Sequence, residues 1–165
     1  MVTARHLKSW GANPEIWLSR VPHADRGLAA LHLDLAERFG IPVHQPTQYP
    51  LLPESDLLID AMLGLSLSSA PSAATAAWID AVNAQAEPVS AVDLPSGLDA
   101  TSGAAPEPCI RAEVTLTFAL PKTGVYALPA RSMIGADIGV PATAYAQLGV
   151  NVGPLFHAGE FLSIV

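Results

Sequence analysis

The chain is poor in the features that most readily give a sequence away. It has one cysteine, Cys109, in 165 residues, so no disulfide can form within it, and such usage fits a reducing compartment. Charged residues make up only 14%, and Lys8 and Lys122 are the only lysines. Aromatics, at 6%, are too scattered for a base-stacking platform. No apolar run approaches the roughly 18 residues of a membrane helix, and the first residues lack the charged-then-apolar order of a secretion signal. His6, His23, His32, His44 and His157 show no H-x-x-x-H spacing and no neighbouring cysteine pair, so no zinc pattern is present. Neither G-x-G-x-x-G nor G-x-x-x-x-G-K-[ST] occurs. A net charge of −7 argues against a phosphate-backbone ligand, so neither nucleic acid nor a membrane is the expected partner.

What is present is apolar mass. Half of the residues are hydrophobic, which excludes a disordered tail or a solvated linker. The length suits one domain over residues 1–165, and a chain of this size can bury roughly 70% of its unfolded surface. A soluble, cytoplasmic, single-domain protein is the expectation.

Short β-branched runs alternate with longer Ala/Leu-rich stretches. Residues 1–10 read as a helix with Val2, Leu7 and Trp10 on one face and Gly11 as its stop. A short strand follows at 15–18. Residues 24–39 form a helix in which Leu28, Leu31, Leu35 and Phe39 lie at helical spacing before Gly40. Four prolines make 41–55 mostly loop, with room for an edge strand near Ile41 to Val43. Strands are expected at 57–60, 89–92, 114–118 and 134–139, and helices at 73–86 and 142–148. The stretches 94–110 and 119–130 read as loops, and the apolar tail from Gly153 to Val165 as a source of an edge strand. Such alternation predicts an α/β fold with a mainly parallel sheet and helices on both faces. The chain opens on a helix with no strand before it. A doubly wound fold normally places a strand and a phosphate-binding turn there, so the N-terminus reads as cut.

In open α/β sheets ligands bind beyond the carboxyl ends of the strands. Asp60 ends one predicted strand and Asp93 follows the next, which places both carboxylates on one rim. There they can hold a cation, divide acid and base roles between them, or simply accept bonds from loop N–H groups. In Asp93-Leu94-Pro95-Ser96-Gly97-Leu98-Asp99, Pro95 and Gly97 shape a turn that lets the backbone of Ser96 approach a ligand. The G-x-S-x-G frame of a nucleophilic serine is missing, but the Ser96 oxygens suit a hard cation. Gly64 to Ser69 precedes a helix and offers N–H donors and hydroxyls to an anion or to the helix itself. Lys122, beyond the strand ending at Phe118, could face a phosphate or solvate its loop.

Taken in order, four segments carry a resemblance: Leu58-Ile59-Asp60-Ala61-Met62-Leu63-Gly64; Ala91-Val92-Asp93-Leu94-Pro95-Ser96-Gly97-Leu98-Asp99; Ala112-Glu113-Val114-Thr115-Leu116-Thr117-Phe118 with Pro121-Lys122-Thr123-Gly124; and Ala136-Asp137-Ile138-Gly139-Val140-Pro141. Their order and spacing over about residues 2–141 resemble the NAD(P)H-hydrate epimerase family, the YjeF N-terminal domain. The resemblance implies a Rossmann-like three-layer sandwich, N-terminally truncated, that interconverts the R and S epimers of hydrated NADH or NADPH. It also implies a homodimer and a separate NAD(P)H-hydrate dehydratase as the pathway partner. Asp93 matches the family's substrate-contacting and catalytic aspartate. Asp60 and Ser96 match its ligands for a potassium ion, and Gly64, Leu65, Ser66, Leu67, Ser68, Ser69 and Ala70 match its substrate-binding stretch. The family's G-P-G-N-N-G-G-D-G loop, with substrate contacts and an asparagine cation ligand, would fall before Met1. The alternative of another class is a catalytically inactive nucleotide- or protein-binding module of the same fold.

Overall fold

The computed structural model describes residues 1–21, 27–65, 70–127 and 132–164. The chain divides into two compact units, Met1–Pro50 and Leu51–Val165.

In the first unit, helix α1 (Val2–Ser9) and helix α2 (Leu28–Arg38) alternate with two short strands, β1 (Ile16–Trp17) and β2 (Val43–His44). The strands pair in parallel, with Trp17 opposite His44. Their rings stack at 3.8 Å, and Glu15 Oε2 accepts from Trp17 Nε1 at 3.3 Å and lies 2.9 Å from His44 Nε2. Both helices stop before Gly11 and Gly40 as expected, but their predicted apolar faces do not form the core. Ala4 and Ala36 are buried with Ile41, against Ile16, whereas Trp10 is 77% exposed and Leu28 75% exposed. Small side chains let two backbones approach closely, and the larger ones then fall to the flanks. Residues 24–26 of the predicted helix lie outside the described residues.

The second unit is a five-stranded sheet in the order β3-β4-β5-β6-β7: β3 (Leu58–Asp60), β4 (Val89–Val92), β5 (Val114–Phe118), β6 (Ser132–Ala136) and β7 (Phe161–Ser163). Four strands run parallel, and β7 closes one edge antiparallel to β6. The mainly parallel α/β fold and the edge strand from the tail are therefore as expected. Helix α3 (Ala73–Asn83) links β3 to β4; Ser72 caps it by accepting from Thr75 N at 3.3 Å. Its buried face carries Ile79 and Val82 onto Val89 and Ala91 of β4, together with Ile110 and Ala112. A second cluster packs Leu94 and Leu98 against Val125 and Met133.

One loop and one strand assignment differ from expectation. The 119–130 stretch contains a 3-10 helix, Thr123–Ala127, because Gly124 fits against the backbone of Asp99 and Ala100 where any Cβ would be 2.2 Å from the Asp99 carbonyl oxygen. Strand β6 starts two residues and ends three residues earlier than the predicted 134–139. Asp137 Oδ1 accepts from Gly139 N at 2.8 Å, and this turn ends the strand before Ile138. Helix α4 (Ala142–Gln147) then leads toward β7. Among the described residues, no helix is long and apolar enough to cross a membrane.

Candidate functional site

The parallel register decides where the candidate residues emerge. Asp60 pairs with Ala91, and Val92 with Leu116, so Asp60 and Asp93 leave adjacent strands at the same carboxyl rim.

Asp60 is 4% exposed and Ser96 is 1% exposed. The Ser96 backbone N–H donates to Asp60 Oδ2 at 2.7 Å, and its hydroxyl donates to Oδ1 at 2.6 Å. Met62 N donates to Oδ1 at 3.2 Å, while Leu63 N donates back to the Ser96 hydroxyl at 2.9 Å. The turn after β3 is thereby fastened to the turn after β4. Burial pushes the Asp60 carboxyl above the usual carboxylate range, and the bonds from Ser96 and Met62 pull it part of the way back. A carboxylate has about four lone-pair sites and a hydroxyl two, so the described bonds leave one on Oδ2 and one on the Ser96 oxygen. Two oxygens with lone pairs to spare, one of them on a buried carboxylate that has no basic partner among the described residues, are a donor set that suits a hard cation.

The turn itself depends on Gly97. Its φ is +102°, and a Cβ there would meet the Pro108 carbonyl oxygen at 2.7 Å and Cys109 Cα at 2.8 Å. The strand of loop pressed against it is held by Ile110 N donating to Ser96 O at 2.9 Å. Asn83, at the end of α3, also grips that loop, donating to Cys109 O at 2.8 Å and accepting from Arg111 N at 2.9 Å.

Asp93 takes a left-handed backbone conformation, φ 72°, which non-glycine residues adopt rarely and at a cost. Its N–H donates to Leu116 O at 2.8 Å. Oδ1 accepts from Phe118 N at 3.0 Å and from the Lys122 ammonium, an ion pair that is mostly shielded from solvent. Lys122 donates as well to Phe118 O at 3.2 Å. The neighbouring Ala119 is also left-handed, φ 59°, so the backbone bends unusually at both strand ends that frame the pair. Among the described residues no hydrogen bond reaches Asp93 Oδ2. Sequence reasoning noticed Lys122 but offered it a phosphate or solvent; the signal for its pairing is the left-handed turn at Asp93, which spacing does not reveal.

The second aspartate of the segment serves its own loop. Asp99 Oδ1 accepts from Ser102 N and Ser102 Oγ, both at 2.7 Å, and from Thr101 N at 3.0 Å. These bonds hold its carboxyl below the usual range. Of the predicted substrate stretch, Gly64, Leu65 and Ala70 lie exposed beyond β3. Ser66, Leu67, Ser68 and Ser69 lie outside the described residues. Among the described residues no cluster of three or more His, Cys, Asp or Glu side chains could hold a metal by itself.

The sequence model of the YjeF-related protein N-terminus family matches residues 1–124, three-quarters of the chain. The chain belongs to this family. The bifunctional NAD(P)H-hydrate repair enzyme Nnr of Moorella thermoacetica is 37% identical over 162 residues, which cover 92% of this chain and 31% of that protein. The NAD(P)H-hydrate epimerase of Pirellula staleyi is 35% identical over 158 residues, covering 89% of this chain and 70% of that one. The chain thus spans under a third of the bifunctional relative and about two-thirds of the shorter one. Among solved structures, the crystal structure of yeast ynu0 superposes with a TM-score of 0.80 over 99% of this chain and 70% of its own, at 18% identity, which shows a shared fold. Asp60, Asp93 and Ser96, which lie in two of the four segments that carry the resemblance, stand together at the carboxyl rim.

Proposed function

We propose that the chain interconverts the R and S epimers of hydrated NADH and NADPH. The observation that supports this reading is Asp93: a left-handed residue at the carboxyl rim, anchored on Oδ1 and with no hydrogen bond on Oδ2 among the described residues. Strained, mostly shielded side chains at strand ends cluster at functional sites. The names of the relatives supply the substrate class.

The chemistry asks little of the protein. At the hydrate carbon the C–O bond breaks as the ring-nitrogen lone pair forms a C=N bond, and the departing oxygen takes a proton and leaves as water. Water then adds to the opposite face and gives a proton back. Asp93 Oδ2 carries that proton in each direction, so none is consumed, and its charge stabilises the cationic ring between the two steps. The exposed Gly64, Leu65 and Ala70, with the stretch between them, are proposed to receive the nucleotide.

A potassium ion is proposed at Asp60 and Ser96, through the two lone pairs left there. It would supply charge to offset the buried carboxylate and would steady the two turns that Ser96 joins. The proposal extends to a cytoplasmic setting, to a homodimer, and to a separate dehydratase that consumes the product.

Epimer exchange tests the reading. The R hydrate of NADPH is followed to the S form with potassium present, against a protein-free blank, because such hydrates also exchange spontaneously. A rate well above the blank that collapses in Asp93→Asn is expected. A blank rate from folded protein would replace the enzyme with a binding module, and full activity in Asp93→Asn would remove Asp93 from the mechanism.

A further inference from the structure

We propose that Lys122 is a positioning residue for the reaction, acting through Asp93; this rests on the epimerase reading above. The Lys122 ammonium is bound on one side to Asp93 Oδ1 and on the other to the Phe118 carbonyl, 3.2 Å away. Phe118 N donates to the same Oδ1 at 3.0 Å. Phe118 therefore holds both partners, one through its N–H and one through its C=O. The carboxylate cannot rotate without giving up two charge-assisted bonds.

The consequence is an assignment of the two oxygens. Oδ1 is fully occupied by Phe118 and Lys122, and Oδ2 faces the ligand. Without the ammonium, one N–H would remain to orient the carboxylate, and the two oxygens would become interchangeable. A proton carrier must hold one oxygen at hydrogen-bond reach of the reacting atom, and a displacement of about 1 Å can cost on the order of 100-fold in rate.

Two measurements separate this from a merely structural ion pair. The first needs no substrate: isotope-labelled wild type and Lys122→Met are compared by NMR at pH 7. The Asp93 carboxyl carbon and the Phe118 amide proton are expected to shift together, while amides elsewhere in β5 stay in place. If neither moves, Lys122 does not position Asp93 and the proposal falls. The second is kinetic, on variants whose circular dichroism matches wild type. Lys122→Met is expected to lose about 100-fold in kcat. Its KM should stay within about threefold, since an interaction that matters only in the transition state leaves ground-state binding alone. Lys122→Arg keeps the charge and the donors and should recover part of the loss. Lys8→Met, the other lysine, should match wild type. A raised KM with kcat intact would make Lys122 a ligand-binding group and overturn the proposal. An inactive wild type would overturn the epimerase reading, and the NMR comparison would still decide whether Lys122 holds Asp93.

Discussion

The Ser96 hydroxyl donates to Asp60 Oδ1 across 2.6 Å while accepting from Leu63 N at 2.9 Å, so one side chain ties the turn after β3 to the turn after β4. Neither Asp60 nor Ser96 has appreciable contact with solvent. A buried carboxylate is costly, and here hydrogen bonds meet that cost incompletely, so burial holds the Asp60 carboxyl above the usual carboxylate range. The pair is thus both a structural clamp and a place of residual negative charge.

Removing the Ser96 hydroxyl should expose that dependence. In Ser96→Ala, Asp60 Oδ1 loses a donor and Leu63 N loses its acceptor, while the carboxylate stays buried. Leaving such groups unpaired costs about 2 kcal/mol, so the urea midpoint should fall accordingly with an unchanged slope. A midpoint equal to wild type would mean that the turn after β3 is held by something else.

The residual charge makes a separate expectation. If potassium occupies the two remaining lone pairs, it binds the native state alone and stabilises it by mass action. Melting in potassium chloride should exceed melting in tetramethylammonium chloride of equal ionic strength by about 3 °C, and the difference should vanish in Asp60→Asn. Equal melting of the wild type in both salts would argue against a cation at this pair.

Much of this rim could be read from the sequence, and its gaps have physical causes. Leu58 to Asp60, Val89 to Val92 and Val114 to Phe118 are apolar, β-branched runs with turn residues after them, so the strands and the convergence of Asp60, Asp93 and Ser96 were legible. The pairing of Lys122 with Asp93 was not, because it depends on a left-handed backbone at Asp93, which aspartate adopts only occasionally and which residue spacing does not reveal. The helix faces of the first unit misled for another reason. Periodicity weights large side chains, whereas the buried contacts there are made by Ala4 and Ala36. The 3-10 helix at Thr123–Ala127 rests on Gly124 meeting residues 99–103, a tertiary fit that a window of neighbouring residues cannot contain.

Cys109 reports on the Asp60 charge from outside the rim. Burial first, and then the Asp60 carboxylate, push its thiol from 9.0 up to about 11. Alkylation by iodoacetamide at pH 8 should therefore be slow in the native protein, quicken steeply only toward pH 11, and do so at lower pH in Asp60→Asn. The linked effect on stability has a definite sign. As pH rises through 9 the unfolded chain gives up the thiol proton before the native one does, so stability falls between pH 9 and 11. Alkylation of native protein at the rate of a free thiol at pH 8 would contradict both statements.

Gly97 and Gly139 share a positive φ, +102° and +75°, and differ in their surroundings, which allows conformation and packing to be separated. At Gly139 a Cβ meets nothing within 4 Å, so Gly139→Ala should cost only the left-handed conformation, about 1 kcal/mol. At Gly97 the same methyl would strike the Pro108 carbonyl oxygen and Cys109 Cα, both backbone atoms of the loop that Asn83 and Ser96 hold in place. Relief requires that loop to move, and overpacking of this kind adds about 3 kcal/mol. Because Ser96 O accepts from Ile110 N across the same contact, the shift would also disturb the Ser96 turn that clamps Asp60. Gly97→Ala should therefore lower stability well beyond Gly139→Ala in parallel urea titrations and weaken epimer exchange even where the protein remains folded. Equal destabilisation of the two variants would mean that the loop at Pro108 yields freely, and that the close approach at Gly97 is not what shapes the turn.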